Sequence, residues 1–282
     1  MDMRAVRIRP LGPTHYGTRP LSTPGTVTRD DVWIVPQPST LLGALGYLAG
    51  VKIDCPGKGP EGALAALREV AKALGVRRVW GPLAVVRRGS EVLVGAAAEG
   101  WIKTHMWAPR ERGEAAGGVP VAKFSRIGLM LTEHKTAAQG YLYRATYYAP
   151  VEAVYFIDAD VVPTGLVRLG GEGRLAAVEA DPELRPDPYL PPKSGAAVLL
   201  TPLLMPEGEL PSCIRAVRGL EQPGEEPKVK VVQWGLGFSE VCRERRPMYP
   251  ALPPGTEVEV ENCDQSQFFL GELGYGALAR LP

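Results

Sequence analysis

Glycine and proline punctuate this chain from end to end, 33 glycines and 28 prolines in 282 residues. Both exceed average usage and neither recurs with a period, which excludes collagen-like and low-complexity chains. A chain interrupted this often cannot sustain long helices. It has to be assembled from short elements joined by tight turns and stiff loops. Apolar residues make up 45% of the sequence and charged residues 22%, enough for a sizeable core and against wholesale disorder. The length suits one large domain or two of ordinary size.

Periodicity places the elements. Met3–Ile8 alternates like a strand and leads into a loop, Pro10–Gly25, that carries His15, Tyr16 and Arg19. Pro38-Ser39-Thr40 opens an apolar run, Leu41–Ala49, with Ser39 as the expected N-cap of a helix. A second helix is expected at Glu61–Leu74, stopped by Gly75. Val79–Arg87 and Glu91–Ala97 form a hairpin around Arg88-Gly89-Ser90, and Trp101–Val119 is a basic excursion from the core. Gly140–Tyr148 is a strand rich in tyrosine.

A second unit is expected to begin near Pro150. It has a strand at Glu152–Ile157, a short helix at Thr164–Leu169 and a tight loop at Gly170-Gly171-Glu172-Gly173. Strands follow at Arg174–Glu179, Ala196–Leu204, Val229–Trp234 and Thr256–Val260. Strands interrupted by two short helices, twice over, suggest an α+β fold of two tandem βαββαβ units with extended loops and hairpin insertions. The units would span residues 1–149, with a basic insertion around 101–125, and residues 150–282. The same element order also suits a looser α+β arrangement.

The chemistry is sparse. Cys55, Cys213, Cys242 and Cys263 form no C-x-x-C knuckle, so buried reduced thiols are expected, with a Cys242–Cys263 bridge open if the fold pairs those segments. His15, His105 and His134 lack metal-ligand spacing, and no phosphate loop or dinucleotide fingerprint occurs, so neither a metal nor a cofactor is expected. The amino-terminal residues lack an apolar core of the kind a signal peptide needs, and the apolar run Gly195–Met205 is far short of a membrane span. A soluble, cytoplasmic protein is the expectation.

Net charge is only +1, but its distribution is uneven. Between Lys103 and Arg144, seven Lys and Arg face three Glu, whereas residues 151–192 hold three Arg and eight acids. One basic stretch beside an acidic one fits a chain with one anionic partner and further protein partners. Tyrosines 141–148 flanked by Arg126, Lys135 and Arg144 can stack bases and neutralise phosphates, or simply pack. The loop Gly170–Gly173 before Arg174 can offer backbone N–H groups to an anion, or be a plain turn. His134-Lys135 with Tyr141 is the one tight cluster suited to acid–base cleavage of RNA.

Several passages, taken in order, resemble a known family. They are Pro10-Leu11-Gly12-Pro13, Pro38-Ser39-Thr40-Leu41-Leu42-Gly43, Arg126-Ile127-Gly128-Leu129 and Gln139-Gly140-Tyr141-Leu142-Tyr143. Leu169-Gly170-Gly171-Glu172-Gly173-Arg174 and Pro253-Pro254-Gly255-Thr256 complete the set. Together they resemble RAMP-superfamily subunits of CRISPR effectors, of the Cas5-like group, and most closely the third subunit of the type III-B Cmr complex. The resemblance implies two fused ferredoxin-like, RRM-type domains. It implies a non-catalytic subunit that binds the 5′ tag of the CRISPR RNA and touches a Cas10-type large subunit and a backbone RAMP subunit. RNA contacts are expected at His15, Tyr16, Arg19, Ser39, Thr40, Lys123, Arg126, Lys135, Gly140, Tyr141, Arg144, Gly170, Gly171 and Arg174. The alternative is an endoribonuclease on the same fold that processes repeat RNA without metal.

Overall fold

The computed structural model describes residues 3–19, 31–104, 118–131, 133, 137–171, 173–181, 184–221 and 226–281. The chain enters through β1 (Arg4–Pro10), turns through β2 (Tyr16–Arg19) and β3 (Asp31–Trp33), and then makes two α-helices, α1 (Pro38–Leu48) and α2 (Gly59–Ala73). A hairpin of β4 (Arg78–Arg88) and β5 (Glu91–Ala97) follows, then the short strands β6 (Trp101–Lys103) and β7 (Gly118–Pro120). A two-stranded ribbon, β8 (Lys123–Leu131) and β9 (Ala137–Tyr148), precedes β10 (Glu152–Asp158), β11 (Gly165–Arg168) and β12 (Leu175–Asp181).

The later strands are β13 (Ser194–Leu199), β14 (Leu203–Leu204), β15 (Ile214–Leu220) and β16 (Val232–Gly235). A small hairpin, β17 (Phe238–Ser239) with β18 (Glu244–Arg245), leads to β19 (Met248–Leu252), β20 (Thr256–Glu261) and β21 (Leu278–Arg280).

One sheet has the order β11-β12-β1-β10-β4-β5-β6-β7, so the strands after residue 150 join β1 rather than opening a sheet of their own. A second sheet, β15-β20-β13-β21, begins at Ser194. Both sheets contain the same antiparallel quartet. Numbered by their order in the chain, β12-β1-β10-β4 and β21-β13-β20-β15 each read 4-1-3-2. Helices are scarcer than the sequence suggests. Among the described residues both α-helices lie between the first and second strands of the first quartet. Between β20 and β21 there are only 3-10 turns, Gln265–Gln267 and Gly271–Leu273.

Three layers result. Alternation along β1 sends Val6 and Ile8 toward α1 and α2, where they join Leu41, Leu42, Leu45, Leu64 and Leu67 in the main core. Gly46 lets the helices meet closely, since a Cβ there would stand 2.6 Å from Val70. The opposite face of the first sheet buries Ala5, Trp80, Leu83 and Phe156 against Val198, Leu200, Ala277 and Ala279 of the second. The second sheet covers its far side with Leu203, Met205, Leu252 and Phe268.

Three local expectations are corrected. The segment expected as a helix at Thr164–Leu169 is strand β11: a run this short gains more by pairing with β12 and burying Val167 than from one helical turn. Ser39 is not the cap of α1. The cap is Gln37, the helix starts with Pro38, and the buried Ser39 hydroxyl donates to the Leu236 carbonyl (2.8 Å). The cysteines are not free thiols. Cys55 pairs with Cys242 and Cys213 with Cys263, because the β17–β18 hairpin folds back over α2 and β20 runs beside β15.

Candidate nucleic-acid interface

At the foot of the β8–β9 ribbon, four separate stretches of chain converge. Thr14 and Tyr148 exchange both backbone hydrogen bonds (3.0 Å each), fixing the loop after β1 to the end of β9. His15 is thereby held against the ribbon, with its Nδ1 2.7 Å from the Thr146 carbonyl. The turn between β11 and β12 closes on the same histidine through Gly171, whose N–H donates to the His15 carbonyl (2.8 Å).

The glycines of that turn have a geometric reason. Gly170 has φ +76°, and a Cβ there would stand 2.5 Å from the His15 carbonyl oxygen. A Cβ on Gly171 would stand 2.5 Å from the His15 ring. Only glycine permits an approach this close.

The approach delivers Arg174. Its guanidinium lies 4.7 Å from the centroid of the Tyr147 ring. Arg126, from β8, lies 5.8 Å from the same ring and 5.9 Å from the ring of Phe124. Phe124 and Tyr147 are stacked, with centroids 5.7 Å apart and planes at 21°. His15 leans on Tyr147 at 5.7 Å, and Lys123 sits 5.1 Å above the Tyr148 ring. Alternation on β9 turns Tyr148 into the main core and Tyr147 into this cluster.

Electrostatically the cluster differs from the ion-paired parts of the surface. Arg7, Arg9, Arg77, Arg215 and Arg218 each pair with a carboxylate. Among the described residues, Arg126 and Arg174 have aromatic partners and no carboxylate partner. Among the described residues the Nε of Arg174 is buried there without a hydrogen-bond partner. Cations held on aromatic faces and left without anions are suited to phosphate, and the half-exposed Phe124 offers a face to a base.

Of the residues expected from the sequence, His15, Arg126, Gly170, Gly171 and Arg174 come together here, whereas Lys123 lies over Tyr148 on the other face of the ribbon. Tyr16 lies behind them and is 4% exposed, and burial pushes its phenol up from the ordinary value. Arg144 is exposed further along the ribbon, opposite Ile127, and Gly140 and Tyr141 lie in β9. Arg19 ends β2. Ser39 and Thr40 sit elsewhere, at the start of α1. Lys135, His134 and the heart of the basic excursion, 105–117, lie outside the described residues. Sequence reasoning missed Phe124. The alternation Lys123-Phe124-Ser125-Arg126, which interleaves charge with an aromatic, was the signal for Phe124.

The open face of the first sheet is not a nucleic-acid platform of the bare RRM kind. The second sheet covers part of it. On the remainder, Arg7 is tied to Glu152 and Asp181, and Arg9 to Glu179. Among the described residues no group of His, Cys, Asp and Glu is placed to hold a metal, and no helix is long and apolar enough to cross a membrane.

Comparison with known proteins agrees with this frame. A family model described as CRISPR-associated protein (Cas_Cmr3) matches residues 96–269, more than half of the chain. The CRISPR system CMR subunit Cmr3 of Saccharolobus solfataricus is 25% identical over 281 residues, covering 91% of this chain and 86% of that protein. A chain of the type III-B Cmr-beta complex bound to cognate target RNA superposes with a TM-score of 0.63 at 21% identity, covering 99% of this chain and 98% of that one. The same complex bound to target RNA and AMPPnP gives 0.61 at 21% identity, covering 98% and 99%. The chain therefore belongs to the CRISPR-associated Cas_Cmr3 family.

Proposed function

We propose that this chain is a non-catalytic RNA-binding subunit of a type III-B CRISPR ribonucleoprotein, working in the cytoplasm. The cluster around Tyr147 takes the single-stranded 5′ tag of the CRISPR RNA. Other faces meet a Cas10-type large subunit and a backbone RAMP subunit. Single-stranded RNA is held by stacking splayed bases on aromatic rings and by cations on the backbone; Phe124 offers the accessible ring and Arg126 and Arg174 the cations, with the buried Tyr147 ring supporting all three. The observation that carries the reading is that Arg126 and Arg174 lie on that aromatic stack with no carboxylate partner among the described residues.

The repeated 4-1-3-2 strand order supports two ferredoxin-like units that have shed most of their helices. We place their boundary between Asp181 and Ser194, where sheet membership changes. Membership of the Cas_Cmr3 family and the likeness to a chain of Cmr-beta support assembly into such a particle.

The direct test is equilibrium binding of a fluorescent tag RNA to the purified chain and to the Arg126→Ala/Arg174→Ala double variant. A fall of tenfold or more in affinity, with the melting temperature unchanged, supports the reading. Unchanged affinity overturns it. Site-specific cleavage of repeat RNA by the isolated chain, abolished in His134→Ala, would instead establish the endoribonuclease.

A further inference from the structure

Past the ion pairs of Arg7, the open face of the first sheet changes character. The β12 register sets Leu175 opposite Arg168, and Ala177 between Leu166 and Arg9. Leu11 lies alongside, its N–H bound to the Leu175 carbonyl (2.9 Å). Alternation puts Leu166, Arg168, Leu175 and Arg9 on the face opposite the helices, since Val167, Ala176 and Val178 all enter the main core. Leu166 is 64% exposed, and Leu11 and Leu175 are 50% exposed each. A cleft of about 450 Å³ runs between Arg9, Leu166, Ala177 and Glu179. Among the described residues β11 is the outermost strand, so its far edge leaves backbone N–H and C=O groups unpaired within the sheet.

We propose that this shelf is a protein-docking face, and that its occupant is an extended segment of a neighbouring subunit carrying apolar side chains and at least one carboxylate. The inference rests on the reading of the chain as a subunit of an assembly. Three features favour protein over RNA. The shelf is aliphatic and, among the described residues, holds no aromatic ring on which a base stacks. An uncharged aliphatic centre bordered by arginine matches the anatomy of protein interfaces, whose buried core is depleted of charge and in which arginine is enriched. Arg168 is exposed with no carboxylate partner among the described residues, so the face calls for an acid. A strand laid along β11 would satisfy the edge by main-chain hydrogen bonds while its alternate side chains fill the cleft.

The test uses hydrogen exchange on the chain alone, on the chain co-assembled with the other protein subunits of its complex after nuclease treatment, and on the same assembly with guide RNA restored. The expected result is exchange at least tenfold slower for amides of Leu166–Arg168 in the RNA-free assembly, and at least tenfold weaker retention of Leu166→Glu. The same variant should bind tag RNA normally, because Leu166 lies outside the Tyr147 cluster. Protection that arises only when RNA is restored assigns the shelf to nucleic acid and overturns the inference. Fast exchange in a chain that has joined the assembly overturns it while leaving the subunit reading intact. Failure of the wild-type chain to assemble overturns both.

Discussion

Gly171 approaches His15 so closely that a methyl group on its α-carbon would stand 2.5 Å from the imidazole, while its N–H donates to the histidine carbonyl. This contact, between residues far apart in sequence, sets the distance between the β11–β12 turn and the ribbon, and so places Arg174 over Tyr147.

Replacing Gly171 by Ala should therefore act on binding and stability together. Overpacking of this kind costs about 1–3 kcal/mol. The turn has to back away from His15, taking Arg174 with it, so tag-RNA affinity should fall with the melting temperature. Gly12→Ala is the control, because a Cβ there meets nothing within 4 Å. Thermal melts and RNA titrations of the two variants check this.

Arg174→Lys separates charge from shape. A lysine keeps the positive charge but loses the planar group that lies on the Tyr147 ring. Affinity should fall for Lys and further for Ala. The salt dependence should shift only for Ala, by about 0.7 in the slope of log K against log salt for one lost phosphate contact to single-stranded RNA. Titrations at several salt concentrations read both quantities.

The two disulfides should contribute unequally. Cys213–Cys263 spans 50 residues within the second sheet's surroundings, whereas Cys55–Cys242 spans 187 and ties the β17–β18 hairpin to the loop between the helices. Each should stabilise by roughly 2–5 kcal/mol, more for the longer loop in the chain-entropy account. Cys55→Ser/Cys242→Ser should lower the melting temperature more than Cys213→Ser/Cys263→Ser, and dithiothreitol should have no further effect on the quadruple variant. Calorimetry with and without reductant checks this. Arg246 will not hold the hairpin unaided: it reaches the carbonyls of Ala63, Leu236 and Phe238, and its burial lowers its pKa.

Acid should destabilise the fold from the carboxylate side. Asp264 is held below the ordinary carboxylate range first by the Ser266 hydroxyl and then by the Ser266 N–H, and Asp158 is lowered by its hydrogen bond to Arg77. A carboxyl whose pKa is lower folded than unfolded stabilises the protein above the unfolded value of about 4, and that contribution is lost as pH falls through the folded value. Melting temperature should be flat at neutral pH and drop below about pH 4. Asp264→Ala should remove the cap of the 3-10 turn at a cost of about 0.5–2 kcal/mol and reduce the acid sensitivity. Melts from pH 3 to 7 read the difference.

How far the sequence spoke for the fold depends on the range of the forces involved. α2, the β4–β5 hairpin and β20 follow from local patterning, and the sequence locates all three. β11 does not, because Thr164–Leu169 is too short to declare a period and becomes a strand only by pairing with β12. The partners of Cys55 and Cys213 are likewise set by tertiary contact. The site was legible in parts. Arg126, Gly170, Gly171 and Arg174 stand out by type, but their meeting at Tyr147 depends on strand order. Ser39 misled, since a hydroxyl before an apolar run looks like a cap whether or not a distant carbonyl claims it.

The most direct test of the account is a crosslinking map of the assembled particle carrying a guide RNA with a photoreactive 5′ tag. The account predicts that tag crosslinks fall on peptides containing His15, Phe124, Tyr147 and Arg174 of this chain, and weaken in Arg174→Ala. Tag crosslinks confined to other subunits, with this chain present in the particle, would contradict it.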